Sequence, residues 1–172
     1  MQITLPDVSL VLLIGVSGSG KSTFARQHFA PTEIVSSDHC RALICDDENN
    51  QTVNQDAFEL LHLIATKRLA HRKLTVIDAT NVQSQARQFL LGVAAAAQIP
   101  AVAIVLNVES TIAFQQNEQR SHRIVDQEVI LQQQQDLQAA LANLSQEGFH
   151  SIYVLTTPTE IAATSILREI IH

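Results

Sequence analysis

Residues 10–14 form an unbroken apolar run, Leu-Val-Leu-Leu-Ile, and further apolar runs bounded by turns follow at 33–36, 74–78, 101–108 and 152–155. Their β-branched, non-alternating composition predicts strands of a parallel sheet covered on both faces. Helical stretches fall between them. Residues 23–29 follow the first run; Phe58, Leu61, Ala65 and Leu69 recur at helical spacing, as do Ile130, Leu137, Leu141 and Leu144, and a last helix is predicted over 161–171. Such alternation predicts an α/β sandwich, a doubly wound five-stranded parallel sheet flanked by helices with right-handed crossovers. Ligands of these sheets bind beyond the carboxyl ends of the strands.

Composition narrows this picture. With 172 residues, 46% of them apolar, the chain reads as one folded domain over 1–172 with a core of its own. No apolar run approaches the roughly 20 residues that span a bilayer, and the first residues, with Asp7 and no basic segment, are unlike a signal peptide. Cys40 and Cys45 read as free thiols of a reducing, cytoplasmic protein; a zinc site combining them with His39 and His62 matches no standard spacing. A net charge of −6 argues against coating nucleic acid non-specifically, which rests on Lys and Arg, but leaves room for gripping the end of a strand. The glutamine run at 132–135 reads as the solvated face of a helix.

Candidate chemistry starts at residues 15–22, Gly-Val-Ser-Gly-Ser-Gly-Lys-Ser, a complete G-x-x-x-x-G-K-[ST] phosphate loop between a strand and a helix. Gly15, Gly18 and Gly20 let backbone N–H groups, with those of Ser17 and Ser19, close on phosphates; Lys21 reaches the β/γ-phosphates. Ser22 supplies a hydroxyl to Mg²⁺, and Thr23 opens the helix whose positive end faces the triphosphate. Asp38 ends the second strand, where it faces the loop as a general base for an acceptor hydroxyl, or caps the next helix. Arg41 either holds Asp38 or clasps an acceptor phosphate. Asp78, at the end of the third strand, either orients Mg²⁺ through a bound water or bonds loop amides. Arg120 and Arg123 suit a helical lid at about 110–128 that closes on the triphosphate. The acidic loop at 45–52 reads as solvated at Asp46, Asp47 and Glu48, with Gln51 and Thr52 as candidates for the acceptor pocket.

Taken together, residues 15–23, Ser36-Ser37-Asp38 with Arg41, 46–49, Asp78-Ala79-Thr80-Asn81 and Arg120/Arg123 resemble the kinase module of the bacterial polynucleotide kinase–phosphatases of RNA end-healing and repair. The likeness runs from about residue 8 to 155; the phage polynucleotide kinase is similar more distantly. The resemblance implies a P-loop phosphotransferase that moves the γ-phosphate of ATP or another NTP, with Mg²⁺, to the 5′-hydroxyl end of RNA or DNA. It implies Lys21 and Ser22 on the triphosphate and Mg²⁺, Asp38 as general base, Arg41 at the acceptor end, and Arg120 and Arg123 on the donor phosphates. It also implies a basic residue one turn before Arg120, where this chain has Gln116. Long relatives continue into phosphatase and ligase modules, so the chain reads as an excised module or a free-standing kinase. Two other readings fit the phosphate loop: a kinase of a small alcohol such as a sugar or nucleoside, and a non-catalytic NTP-dependent switch.

Overall fold

In the computed structural model, which describes residues 1–119 and 124–170, the predicted apolar runs become one parallel sheet. Its strands are β2 (Leu10–Ile14), β3 (Ile34–Ser36), β4 (Thr75–Asp78), β5 (Ala101–Leu106) and β6 (Ser151–Leu155); β1 (Gln2–Pro6) lies outside it. The order is β3-β4-β2-β5-β6, every neighbouring pair parallel. All residues of β2 and β5 are buried, as continuous apolar strands covered on both sides must be. With β2 at the centre, the chain leaves it towards β3 and β4 on one side and β5 and β6 on the other. The crevice at that switch point is where the phosphate loop emerges.

Alternate residues of β2 feed two core layers. Leu10, Leu12 and Ile14 pack with Leu61, Leu69, Leu90, Ile130 and Leu137, from α3 (Asn54–Ala70), α4 (Ser84–Ala96) and α6 (Gln127–Asn143). Val11 and Leu13 pack with Phe24 of α1 (Lys21–His28) and with Ile3 and Leu5 of β1. One face is thus closed by helices. The other is closed by a helix and a strand.

That strand corrects the expected last helix at 161–171. The helix, α7 (Pro158–Ala162), has only five residues, and the chain then forms β7 (Ser165–Glu169), which pairs in parallel with β1 as a separate two-stranded sheet. Thr164 turns the chain, its hydroxyl donating to the Glu160 carbonyl at 2.7 Å, and the Ser165 amide donates to Met1. Residues 161–171 carry apolar groups that satisfy helical spacing, yet Leu167 and Ile170 are exposed. A partner strand from the far end of the chain decides the outcome. The Tyr153 hydroxyl ties β1 to the main sheet, donating to the Thr4 carbonyl at 3.0 Å and accepting from its amide at 3.3 Å.

The remaining elements are α2 (Ser37–Cys45), two 3₁₀ turns at Gln51–Val53 and Leu144–Gln146, and α5 (Ser110–Glu118). Asn117 is buried and exchanges two hydrogen bonds with Val125, at 2.8 and 3.1 Å, which pins the end of α5 to the approach of α6. Arg120 and Arg123, the expected lid arginines, lie outside the described residues. Among the described residues no helix is long and apolar enough to cross a membrane.

Candidate active site

The loop after β2 turns twice through backbone conformations that favour glycine, at Gly18 (φ 84°) and Gly20 (φ 94°). At Gly18 space adds to conformation: a Cβ there would stand 2.2 Å from the Ala113 carbonyl of α5, so α5 can lie against the loop only over glycine. Gly15 anchors the loop to the neighbouring strand end, its amide donating to the Thr80 carbonyl at 3.0 Å. The helix that follows, α1, has no acidic residue in its first turn and carries Arg26 and His28 in its last. The helix thus brings no acid of its own to its positive end, an arrangement that favours a bound anion.

Lys21 is buried at the mouth of the loop, its Nζ donating to the Val16 carbonyl at 2.7 Å and to Ser19 Oγ at 3.3 Å. Lys21 shares a cavity of about 170 Å³ with Ser17, Ser22, Asp38, Arg41 and Asp78. Thr23 is exposed on α1 and does not line that cavity. Asp78, buried at the end of β4, has its carboxyl pushed up by burial, against the opposing pull of the Lys21 cation and a hydrogen bond from the Ser22 hydroxyl; the Asp38 charge adds to the rise. Beside it, Asn81 adopts a left-handed turn (φ 51°) and its Nδ2 donates to the Leu13 carbonyl at 2.7 Å, locking the β4 loop onto β2.

Across the cavity, Ser36 rather than Asp38 caps α2: its Oγ accepts from the His39 amide at 3.4 Å. Asp38 sits in the first turn with its side chain about one-third exposed. Arg41 is 3% exposed and uses its whole fork. Nη2 pairs with Asp38, Nε donates to the Glu48 carbonyl at 2.7 Å, and Nη1 donates to Asn54 Oδ1 at 2.8 Å. One guanidinium thus fastens α2, the acidic loop and the start of α3 together. Gln51 lines the same cavity, its Nε2 donating to the Asn49 carbonyl at 3.3 Å. Thr52 turns away, its hydroxyl bonding Asn50 Oδ1 at 2.6 Å.

One residue of the site was hidden in the sequence. Gln133 of α6, expected on a solvated face, is half-buried and its Oε1 accepts from the Ser17 amide at 2.8 Å, across 116 positions of the chain. A glutamine within a glutamine run carries no local signal; only the packing of α6 over the loop singles it out. Gln116 of α5 also reaches the loop, its Oε1 standing 3.7 Å from where a Gly20 Cβ would be. Next to Gln133 a second cavity of about 370 Å³ opens past Phe58, Thr80 and Val129.

An all-parallel sheet with a phosphate loop behind its central strand defines the P-loop kinase fold. The chain belongs to the AAA domain family, whose profile matches residues 10–143. No curated protein matches it. Among solved structures it is similar to a chain of the Pnkp1/Rnl/Hen1 RNA repair complex, with TM-score 0.68 and 21% identity over 81% of this chain and 47% of that one. This protein therefore spans about half the length of that relative. It is also similar to a putative kinase from Chloroflexus aurantiacus (TM-score 0.60, 12% identity, 88% and 89% covered) and a gluconokinase from Sinorhizobium meliloti (0.56, 15%, 92% and 87%). Identities this low speak for the fold alone.

Proposed function

We propose that the protein transfers the γ-phosphate of ATP or another NTP to the 5′-hydroxyl end of RNA or DNA. The observation that carries this reading is the placing of Asp38 in one cavity with Lys21 and Ser22, its carboxylate held by a fully engaged Arg41. A pure nucleotide binder has no need of a carboxylate fixed opposite the phosphates. The RNA repair relative favours a nucleic-acid acceptor, and the resemblance to the polynucleotide kinase–phosphatases implies phosphatase and ligase modules in a longer polypeptide.

In this mechanism the loop amides and Lys21 receive the β- and γ-phosphates. The acceptor oxygen attacks the γ-phosphorus while Asp38 takes its proton. A new P–O bond forms, the bond to the β–γ bridging oxygen breaks, and its electron pair leaves on the nucleoside diphosphate. Arg41 is a positioning residue that keeps Asp38 aimed at the acceptor. Ser22 and Asp78 offer a hydroxyl and a carboxylate, the hard oxygen donors that suit Mg²⁺. Held by Ser22 and Asp78, Mg²⁺ would supply charge neutralisation for the phosphoryl group. Arg120 and Arg123 complete the proposed donor contacts, and Gln51 the acceptor side.

A kinase of a small alcohol is the second reading. Its supporting observation is that each of the three nitrogens of Arg41, the cation beside Asp38, already donates within the protein, to Asp38, Glu48 and Asn54. Transfer of labelled phosphate to 5′-OH oligonucleotides, run beside gluconate and nucleosides, separates the two. A 5′-OH end preferred by orders of magnitude supports the first reading; a preferred small alcohol overturns it.

A further inference from the structure

The contact between Gln133 and the phosphate loop has a direction. A backbone N–H can be met only by the oxygen of a carboxamide, so the 2.8 Å bond from the Ser17 amide fixes which end of Gln133 is used. The NH₂ end is left over, and no described residue accepts from it. Gln133 lines the same cavity as Lys21, Ser22 and Asp38. The bond to Ser17 also polarises the amide, which strengthens the remaining N–H groups as donors.

From this placement we infer that Gln133 contacts the γ-phosphoryl group of the bound triphosphate: Ser17 clamps its carbonyl, and its Nε2 donates to a γ-phosphate oxygen. The carboxamide is a neutral donor, so α6 can bring it against the loop without adding a further cation to a cavity that already holds Lys21 and Arg41. It also gives the site a way to tell a triphosphate from a diphosphate. A cationic contact that attracts both would discriminate less. Gln116, the other carboxamide at the loop, stands by Gly20 instead. The inference rests only on the triphosphate half of the proposed function and is indifferent to the acceptor.

Gln133→Glu and Gln133→Leu test it in the full-length protein, by calorimetric binding of Mg²⁺-ATP and Mg²⁺-ADP at pH 8 together with thermal melting. Glutamate still accepts from Ser17 but presents a charged acceptor where the NH₂ group was. Leucine removes both functions at similar size. Both variants should weaken ATP by about 10- to 100-fold, the span of a hydrogen bond to a charged group, and leave ADP within about twofold. A glutamate variant that keeps the wild-type affinity for ATP overturns the inference, because Gln133 would then only brace the loop. So does a parallel loss of ATP and ADP, which signals a distorted loop. If the leucine variant fails to fold, the nearly isosteric glutamate variant decides alone. Wild-type protein that binds neither nucleotide sinks the inference with the phosphate-loop reading itself. Intact ATP-over-ADP selectivity without transfer to a 5′-OH end leaves it standing and removes only the polynucleotide acceptor.

Discussion

The two walls of the cavity are built on different principles. The phosphate loop is contiguous: eight residues, two left-handed glycines and a helix end present main-chain N–H groups, with Lys21 the principal side chain. The facing wall is assembled from side chains at scattered positions, Asp38, Arg41 and Asn54, tied by one buried guanidinium that also holds the Glu48 carbonyl. Main-chain chemistry survives most substitutions, whereas side-chain chemistry depends on every member staying in place. A wall of the second kind is therefore where specificity can change without loss of the fold.

This contrast can be broken or sharpened by substitution. Asp38→Asn keeps an oxygen for Arg41 but removes the base. Transfer should fall roughly 10²- to 10⁴-fold with ATP binding unchanged, measured by single-turnover phosphoryl transfer. Lys21→Ala should cost about 10²- to 10³-fold and, unlike Asp38→Asn, should weaken ATP in the same titrations. Equal effects of the two on ATP binding would erase the proposed division between the walls.

Asp78→Asn should raise the Mg²⁺ needed for half-maximal transfer by roughly 10- to 100-fold. It should also stabilise the protein. The Asp78 carboxyl is pushed above its ordinary 3.8, so between that value and the raised one the folded state binds more proton than the unfolded state. Stability contributed by this group is full below 3.8, is lost as pH rises through the window, and stays lost at neutral pH. Asparagine escapes that cost, so the variant should melt higher at neutral pH in scanning calorimetry, and no higher at a pH well below 3.8.

Arg41→Lys keeps a charge but cannot make the fork, and should lower kcat on the order of 10-fold with little change in the KM for ATP. The smallest effect belongs to the far edge of the fold, where Arg168 grips Glu33 with two bonds of 2.7 and 2.8 Å. Burial alone would raise the Glu33 carboxyl, but its hydrogen bonds and the Arg168 charge outweigh that and hold it below its ordinary 4.5. The pair therefore stabilises above pH 4.5 and loses its contribution as pH falls through the lowered value. Since Arg168 is 39% exposed, Arg168→Gln should cost only about 0.5 kcal/mol by urea denaturation, without touching transfer.

What the sequence revealed follows the same division. The main sheet was legible because each of its strands is a short apolar run between turns, and the phosphate loop because its spacing is its mechanism. Helix α2 was anticipated after Asp38, but the cap fell to Ser36, since serine just before the first turn accepts from a helix amide without entering the helix. Strands β1 and β7 escaped because neither is stable without the other, and helical spacing fitted 161–171 equally well. Gln133 escaped for a related reason: its partner lies 116 positions away, and glutamine repeats look alike until one of them is packed against something.

The pairing of Gln2 with Ser165 also bears on the order of assembly. Joining strands from opposite ends closes nearly the whole chain, and that loop entropy must be met before the contacts give anything back. Strands β2, β4 and β5 need shorter closures, so the sheet carrying the phosphate loop can form first and the two-stranded sheet dock afterwards. Native-state hydrogen exchange should then find the amides of β1 and β7 opening at lower free energy than those of β2. The clasp between the chain ends is a late seal on a core already made.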